Sequence, residues 1–140
     1  MHSRDVVRGV YADFARGDAG SVLARFHSEI QFHLAEHHLY APEGKGWIGP
    51  DAVATNFSAR IEPDWESFTV DPRTWHVAGD TVVVEGRYSG THRGTGKELD
   101  MQFCHVWKVD GAQVVRFQQY TDTAQLREVA GARKSAELAP

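Results

Sequence analysis

Two histidines set in apolar-rich segments, His33 and His105, are the side chains of this 140-residue chain best suited to proton transfer. A neutral imidazole donates at one nitrogen and accepts at the other, and its ordinary pKa of ~6.5 lies close to neutral pH. His33 falls in a short alternating run with Ile30, Phe32 and Leu34. His105 falls inside the long apolar run 99–109. Either could also be a hydrogen-bonded core histidine, because a buried imidazole needs polar partners.

Glu36, His37 and His38 follow His33 closely. His33, Glu36 and His37 imitate a metal-ligand set, but a four-residue spacing converges on one ion only on a helix. This stretch reads as strand followed by loop, so neither a metal nor a cofactor is expected. Glu36 then reads as a pocket carboxylate or as a solvated loop residue. The single cysteine, Cys104, lies in an apolar run and reads as a small buried hydrophobe. A catalytic thiol needs an electropositive, partly exposed setting.

On the last strand-like run, Arg116, Gln118, Tyr120 and Asp122 share one face, and Phe117, Gln119 and Thr121 share the other. Asp122 stands either at a pocket rim or as the cap of a following helix, a position that aspartate favours. Tyr88 and Trp47 are candidates for stacking on a flat ligand, with packing as the simpler reading of each. Glu85 faces water or pairs with a neighbour such as Arg87 or Arg116.

The elements that would position these groups follow from periodicity. Val6, Val7, Val10, Tyr11 and Phe14 have helical spacing, with Ser3 as a cap. A second short helix carries Val22, Leu23 and Phe26. Residues 29–34 read as a strand and 36–49 as a loop. Pro50 opens a third helix with Val53, Phe57 and Ile61 on one face. Strands follow at 68–77, 81–91, 99–109 and 113–121. Pro72 marks the first of these as an edge or bulged strand. Asp110-Gly111 is a hairpin turn. The polar tail, 124–140, reads as weakly helical or frayed. Helices followed by an antiparallel meander make an α+β fold, one domain spanning 1–140. Three helices cannot cover a long bent sheet, so an interior cavity is expected.

The formal charge is −4, from 15 basic and 19 acidic residues, with no basic stripe for nucleic acid. The small basic clusters Arg4/Arg8 and Arg133/Lys134 read as solvated ends. The first ten residues lack the apolar core of a signal peptide, and no run is long enough to span a bilayer. With one cysteine, a cytoplasmic setting is expected.

An ordered set of short motifs adds to this. It runs through Gly17-Asp18, Glu36, Gly49-Pro50-Asp51-Ala52-Val53, Gly79-Asp80-Thr81-Val82-Val83-Val84 and Gly86-Arg87-Tyr88. It continues through Gly94-Thr95-Gly96-Lys97, Cys104-His105-Val106-Trp107 and the run from Arg116 to Thr123. The set resembles SnoaL-like, ketosteroid-isomerase-related proteins of the nuclear-transport-factor-two-like superfamily. That resemblance implies a cone-shaped curved antiparallel sheet packed on three N-terminal helices, an interior pocket for a small-molecule ligand, and a homodimer. It places His33 near the isomerases' general base and His105 at their oxyanion-binding acid. It places Val10, with Tyr11 turned elsewhere, where those enzymes carry a tyrosine, which speaks against steroid isomerisation. It favours Phe117, Gln119 and Thr121 as the pocket face. Gln119 stands near an aspartate used by some cyclases, and a glutamine is neither acid nor base. The expected site is therefore His33 and His105 as catalytic pair, with Glu36, Trp47, Phe57, Tyr88, Phe117, Gln119 and Asp122 around the substrate. The expected activity is cofactor-free isomerase, cyclase or hydrolase/dehydratase chemistry on a small cyclic or carbonyl-bearing molecule. The alternative is a non-catalytic ligand-binding or dimerisation domain.

Overall fold

The apolar stripe of the first helix is buried as its spacing requires. Helix α1 (Ser3–Ala15) hides Val6, Val7, Val10 and Tyr11, which is the signature of an amphipathic helix lying on a core. The computed structural model describes residues 2–132; the basic pair Arg133/Lys134 and the end of the polar tail lie outside the described residues. Ser3 does not cap α1. It is the first helical residue, and its hydroxyl donates to the Gly79 carbonyl at 2.7 Å, pinning the helix start to a sheet turn. Helix α2 (Ala19–Ala24) is capped by Asp18, which accepts from the Ser21 amide. Phe26 opens strand β1 (Phe26–His33) rather than closing α2. Asp13 is buried at the end of α1 and held by Arg16 and Arg25, each at 2.6 Å. That pairing ties α1 to the chain just before β1.

After the two-residue strand β2 (Trp47–Ile48), a helical stretch runs from Pro50 to Asp64 as α3 (Pro50–Val53), a π turn (Ala54–Ser58) and α4 (Ala59–Asp64). Four long strands follow: β3 (Trp65–Ala78), β4 (Thr81–His92), β5 (Glu98–Asp110) and β6 (Gln113–Thr121). The sheet order is β2-β1-β6-β5-β4-β3. The meander is antiparallel as expected, but β1 runs parallel to β6. The helical stretch carries the chain from β1 to the far edge, so β1 meets the returning β6 in the same sense. β3 is an edge strand, and its register shifts between Pro72 and Thr74. Pro has no N–H for a ladder, which confines it to such places.

The curvature has a local cause. Gly86 lies opposite Pro72, and a Cβ there would stand 2.2 Å from the Asp71 carbonyl and 2.6 Å from the Phe103 ring. Gly90 is as close to the Ser67 carbonyl. Bulge and glycines together let the sheet bend around its inner face. That face carries Val82, Val84 and Tyr88 from β4, and Leu99, Met101, Phe103, His105, Trp107 and Val109 from β5, all buried. The outer face is mixed, with Tyr120 and Ile48 exposed beside charged side chains. Glu85 there is water-facing and pairs with His76 at 2.8 Å rather than with either arginine. Helix α5 (Thr123–Val129) closes the described chain and buries Leu126 and Val129.

Candidate active site

Between α1, the π turn and the inner face of the sheet lies a chamber of about 80 Å³. Its walls are mostly rings, including Phe14, Phe26, Phe32, Phe57, Phe68 and Phe117. Five polar side chains join them: Tyr11, Tyr88, His105, Gln119 and Ser58. No carboxylate lines the chamber. At Phe14, Val22, Ser58 and Phe68 it meets an outer groove of about 440 Å³ that carries Glu62, Glu66 and Arg93. A smaller lobe lies behind Tyr88 and Gln119, walled by His38, Tyr40, Trp65 and Met101.

The expected pair of histidines does not converge. β1 buries Phe32 toward the chamber, so strand alternation turns His33 outward. His33 is half-buried and lowered in pKa by partial burial and by Arg116, a residue of the outer face. His105 lies on the inner face, so the sheet itself separates the two. Glu36 is exposed in the loop and is absent from the chamber wall. Trp47 stands behind the wall, stacked on Phe32 at 6.1 Å. Asp122 is not a rim group but the N-cap of α5, accepting from the Gln125 amide at 3.1 Å. Thr121 donates to the Gln102 carbonyl and stays outside the wall. Phe57, Tyr88, Phe117 and Gln119 do line the chamber with His105. Among the described residues no His, Cys, Asp or Glu side chains gather as a metal set.

Tyr11 is the residue that sequence reasoning turned the wrong way. It faces the chamber, and its hydroxyl lies 2.6 Å from His105 Nδ1. Trp107 Nε1 donates to the same hydroxyl at 2.9 Å. On the other side of the imidazole, Nε2 hydrogen-bonds the Tyr88 hydroxyl. Gln119 Nε2 donates to Tyr88 at 2.9 Å, while Gln119 Oε1 accepts from the Ala35 amide at 3.2 Å. The result is one chain of contacts: Trp107, Tyr11, His105, Tyr88, Gln119, Ala35.

Its protons can be counted. The indole N–H only donates. The backbone amide of Ala35 only donates, so it claims the Gln119 oxygen and leaves the amide nitrogen facing Tyr88. Each tyrosine oxygen therefore already accepts one hydrogen bond from outside. Burial pushes His105 from 6.5 down to about 3, so the ring is neutral and carries one N–H. If that N–H sits on Nδ1 and donates to Tyr11, Tyr88 must donate to Nε2. The Tyr11 proton is then left over. The other tautomer leaves over the Tyr88 proton. In both cases one hydroxyl proton has no acceptor within the network, and both tyrosines line the chamber. Burial raises the pKa of both tyrosines, so both are neutral phenols.

His38, in the smaller lobe, shows the same logic. It is buried, and its Nδ1 accepts the Tyr40 amide at 3.0 Å, so Nε2 carries its proton. Burial first, then Arg127 and Arg60, push it down to about 3. Tyr40 donates to Asp64 at 2.7 Å and accepts from Trp65 Nε1 at 3.0 Å.

A bent sheet folded over helices around an aromatic chamber with a buried polar centre defines the cone-shaped pocket proteins of the nuclear-transport-factor-two-like class. Within that class, the SnoaL-like domain family matches this chain over residues 7–117. The chain belongs to that family. Solved structures agree in fold. An NTF2-like protein from Burkholderia thailandensis E264 is 30% identical, covering 92% of this chain and 97% of its own, with a TM-score of 0.85. TerC, co-crystallised with polyporic acid, is 21% identical over 93% of this chain and 98% of its own, at 0.80. A protein with a ketosteroid isomerase-like fold from Catenulispora acidiphila DSM 44928, in complex with trimethylamine, is 18% identical over 96% and 97%, at 0.76. No curated protein is similar enough to this chain to count as a match.

Proposed function

We propose that this protein binds a small, neutral, ring-bearing molecule in the aromatic chamber and polarises its carbonyl oxygen with a hydroxyl proton of Tyr11 or Tyr88. The reaction class is cofactor-free isomerase- or cyclase-like chemistry, in which charge developing on that oxygen is met by a preorganised donor. The observation that carries this is the hydrogen-bond chain Trp107–Tyr11–His105–Tyr88–Gln119, whose count of protons leaves one hydroxyl unspent. A hydrogen-bond acceptor is what such a site lacks. The ring-lined wall favours a flat, apolar body for the rest of the ligand. TerC, which shares the fold, was co-crystallised with polyporic acid, and that supports a small organic ligand here.

The site works without His33, which lies on the other face. Catalysis by a pair of histidines is accordingly replaced by a single histidine between two tyrosines. A second reading, binding without turnover, is favoured by one feature: no carboxylate lines the chamber to act as a base. A homodimer through the outer sheet face is also proposed, where Tyr120 and Ile48 expose apolar surface. Sedimentation of wild type against Tyr120→Glu tests it. A reducing, cytoplasmic setting suits the free Cys104.

The test is a titration with cyclohex-2-en-1-one carrying 13C at the carbonyl. The expected result is a downfield carbonyl shift on binding. Tyr11→Phe and Tyr88→Phe should each weaken binding by about 1 kcal/mol, the ordinary worth of one hydrogen bond. Cyclohexene, of similar shape without the oxygen, should bind more weakly by at least as much. Equal binding of the two probes, or an unmoved carbonyl signal, refutes the reading.

A further inference from the structure

We propose that Tyr11, His105 and Tyr88 form a neutral proton relay, so that the two hydroxyls act together as acid and base on an enolisable carbonyl compound. This rests on the carbonyl-polarising reading above and adds the missing base. The geometry is the chain of contacts itself. Tyr11 bonds Nδ1, Tyr88 bonds Nε2, and both tyrosines line one chamber.

The starting state has N–H on Nδ1, Tyr88 donating to Nε2, and the Tyr11 proton directed at the carbonyl oxygen. In the step, the Tyr11 O–H bond breaks and an O–H bond forms on the substrate. The Nδ1 proton passes to the Tyr11 oxygen. The Tyr88 proton passes to Nε2. A proton from the carbon next to the carbonyl passes to the Tyr88 oxygen. The electron pair of that C–H bond becomes the C=C bond, and the carbonyl π pair takes the new proton. The ketone has become an enol. The protein has changed only its tautomer, with the spare proton now on Tyr88. Return in the opposite sense restores both.

Each proton moves along a hydrogen bond already present, or across one contact to the substrate. No ion forms at any point. This matters in a chamber walled by phenyl rings, where an isolated charge is costly. It also accounts for the absence of a carboxylate from the wall, since the second tyrosine takes the role of base. Gln119 and Trp107 are positioning residues here. They hold each tyrosine oxygen from outside with a donor, so neither hydroxyl proton is drawn away from the imidazole or the chamber.

The substrate class is a neutral cyclic ketone, or a related carbonyl compound, with a removable proton beside the carbonyl. The experiment follows exchange of the α protons of cyclohexanone in D2O by proton NMR, with binding measured in parallel. Wild type should accelerate exchange at a rate flat from pH 5 to 9, because no member of the relay changes charge there. His105→Gln keeps a donor and an acceptor but cannot tautomerise. It should bind cyclohexanone within about twofold of wild type and lose at least 100-fold in exchange. Tyr11→Phe and Tyr88→Phe should each lose exchange to the same degree. In the wild type with ketone bound, both 15N signals of His105 should lie between the pyrrole-type and pyridine-type extremes. That measurement needs no variant. Exchange retained in His105→Gln, a ketone bound without exchange, or a charged or single-tautomer His105 each overturns the relay and leaves the binding reading standing. Failure of wild type to bind the ketone at all removes both.

Discussion

Lowering the pH should weaken this fold through His105, and the size of the effect follows from its burial. The native ring is held from 6.5 down to about 3, whereas in the unfolded chain it titrates at the ordinary value. Between those two values the unfolded state binds a proton that the native state refuses. Stability then rises with pH across that interval and falls as the solution is acidified. The contribution is complete above 6.5 and declines through the window down to about 3. Each pH unit inside the window costs about 1.4 kcal/mol for one such group. From pH 6.5 to 4.5 His105 alone removes about 3 kcal/mol. His38, also pushed to about 3, adds a similar amount. Together they match the lower end of a typical domain's whole stability, about 5 kcal/mol. The assay is urea unfolding followed by tryptophan fluorescence at pH 7 and pH 4.5, for wild type and His105→Gln. The variant starts less stable at pH 7, because the tyrosine contacts change. Its loss on acidification should be smaller than that of wild type by about 3 kcal/mol, since glutamine has no proton to refuse. Carboxylates contribute equally to both proteins and cancel. Parallel losses in the two proteins would refute the argument, as would a His105 ring-proton signal that titrates near 6.5.

Three other substitutions separate site from scaffold. Gly86→Ala places a Cβ 2.2 Å from the Asp71 carbonyl; backbone must move, so thermal unfolding should report a loss of about 1–3 kcal/mol. Asp122→Ala removes the cap of α5 and should cost about 1 kcal/mol in urea, with enone binding unchanged. A rim role would instead show as weaker binding. His33→Ala should leave enone binding and cyclohexanone exchange as they are in wild type, because the ring lies outside the chamber; a tenfold loss in either would restore the paired-histidine scheme.

Strands were legible because alternation is a local property. The expected run 113–121 coincides with β6 (Gln113–Thr121), and the other three long strands differ by a few residues at their ends. Pro72 announced its own bulge. The direction of β1 was not legible, since parallel pairing with β6 depends on where the helical stretch delivers the chain. His33 illustrates a second limit. Its alternation with Ile30, Phe32 and Leu34 already put it opposite the apolar set that the core takes, and the resemblance to the isomerases pulled it the other way. The most instructive case is the partner of His105. Continuing the pairing of Asp110 with Gln113 and Val109 with Val114 would set Gln118 opposite His105. A register shift between Lys108 and Val109 sets Gln119 there instead. A one-residue bulge thus decides which glutamine faces the chamber, and no composition signal reports it. Tyr11 could have been found. It lies four residues after Val7 and three before Phe14, so a helical stripe wide enough for Val10 also includes it.

In the proposed relay, Gln119, which cannot be an acid or a base, holds the network in the state that leaves one hydroxyl proton unspent. An acid at that position would accept the Tyr88 proton when ionised. Tyr88 would then turn from the imidazole, His105 would keep its N–H on Nε2 or seek charge, and the surplus proton would be consumed inside the protein. The amide avoids this because the Ala35 N–H has already claimed its only oxygen. Its nitrogen can then do nothing but donate to Tyr88. The same constraint acts at the other end through the indole of Trp107. Two donor-only ends enclose two hydroxyls and one neutral ring, and the arithmetic of protons leaves one hydroxyl to spare. Under the proposed relay, a glutamine here, where the resemblance to cyclases implies an aspartate, goes with acid and base roles carried by neutral groups that an aromatic chamber can hold without an ion.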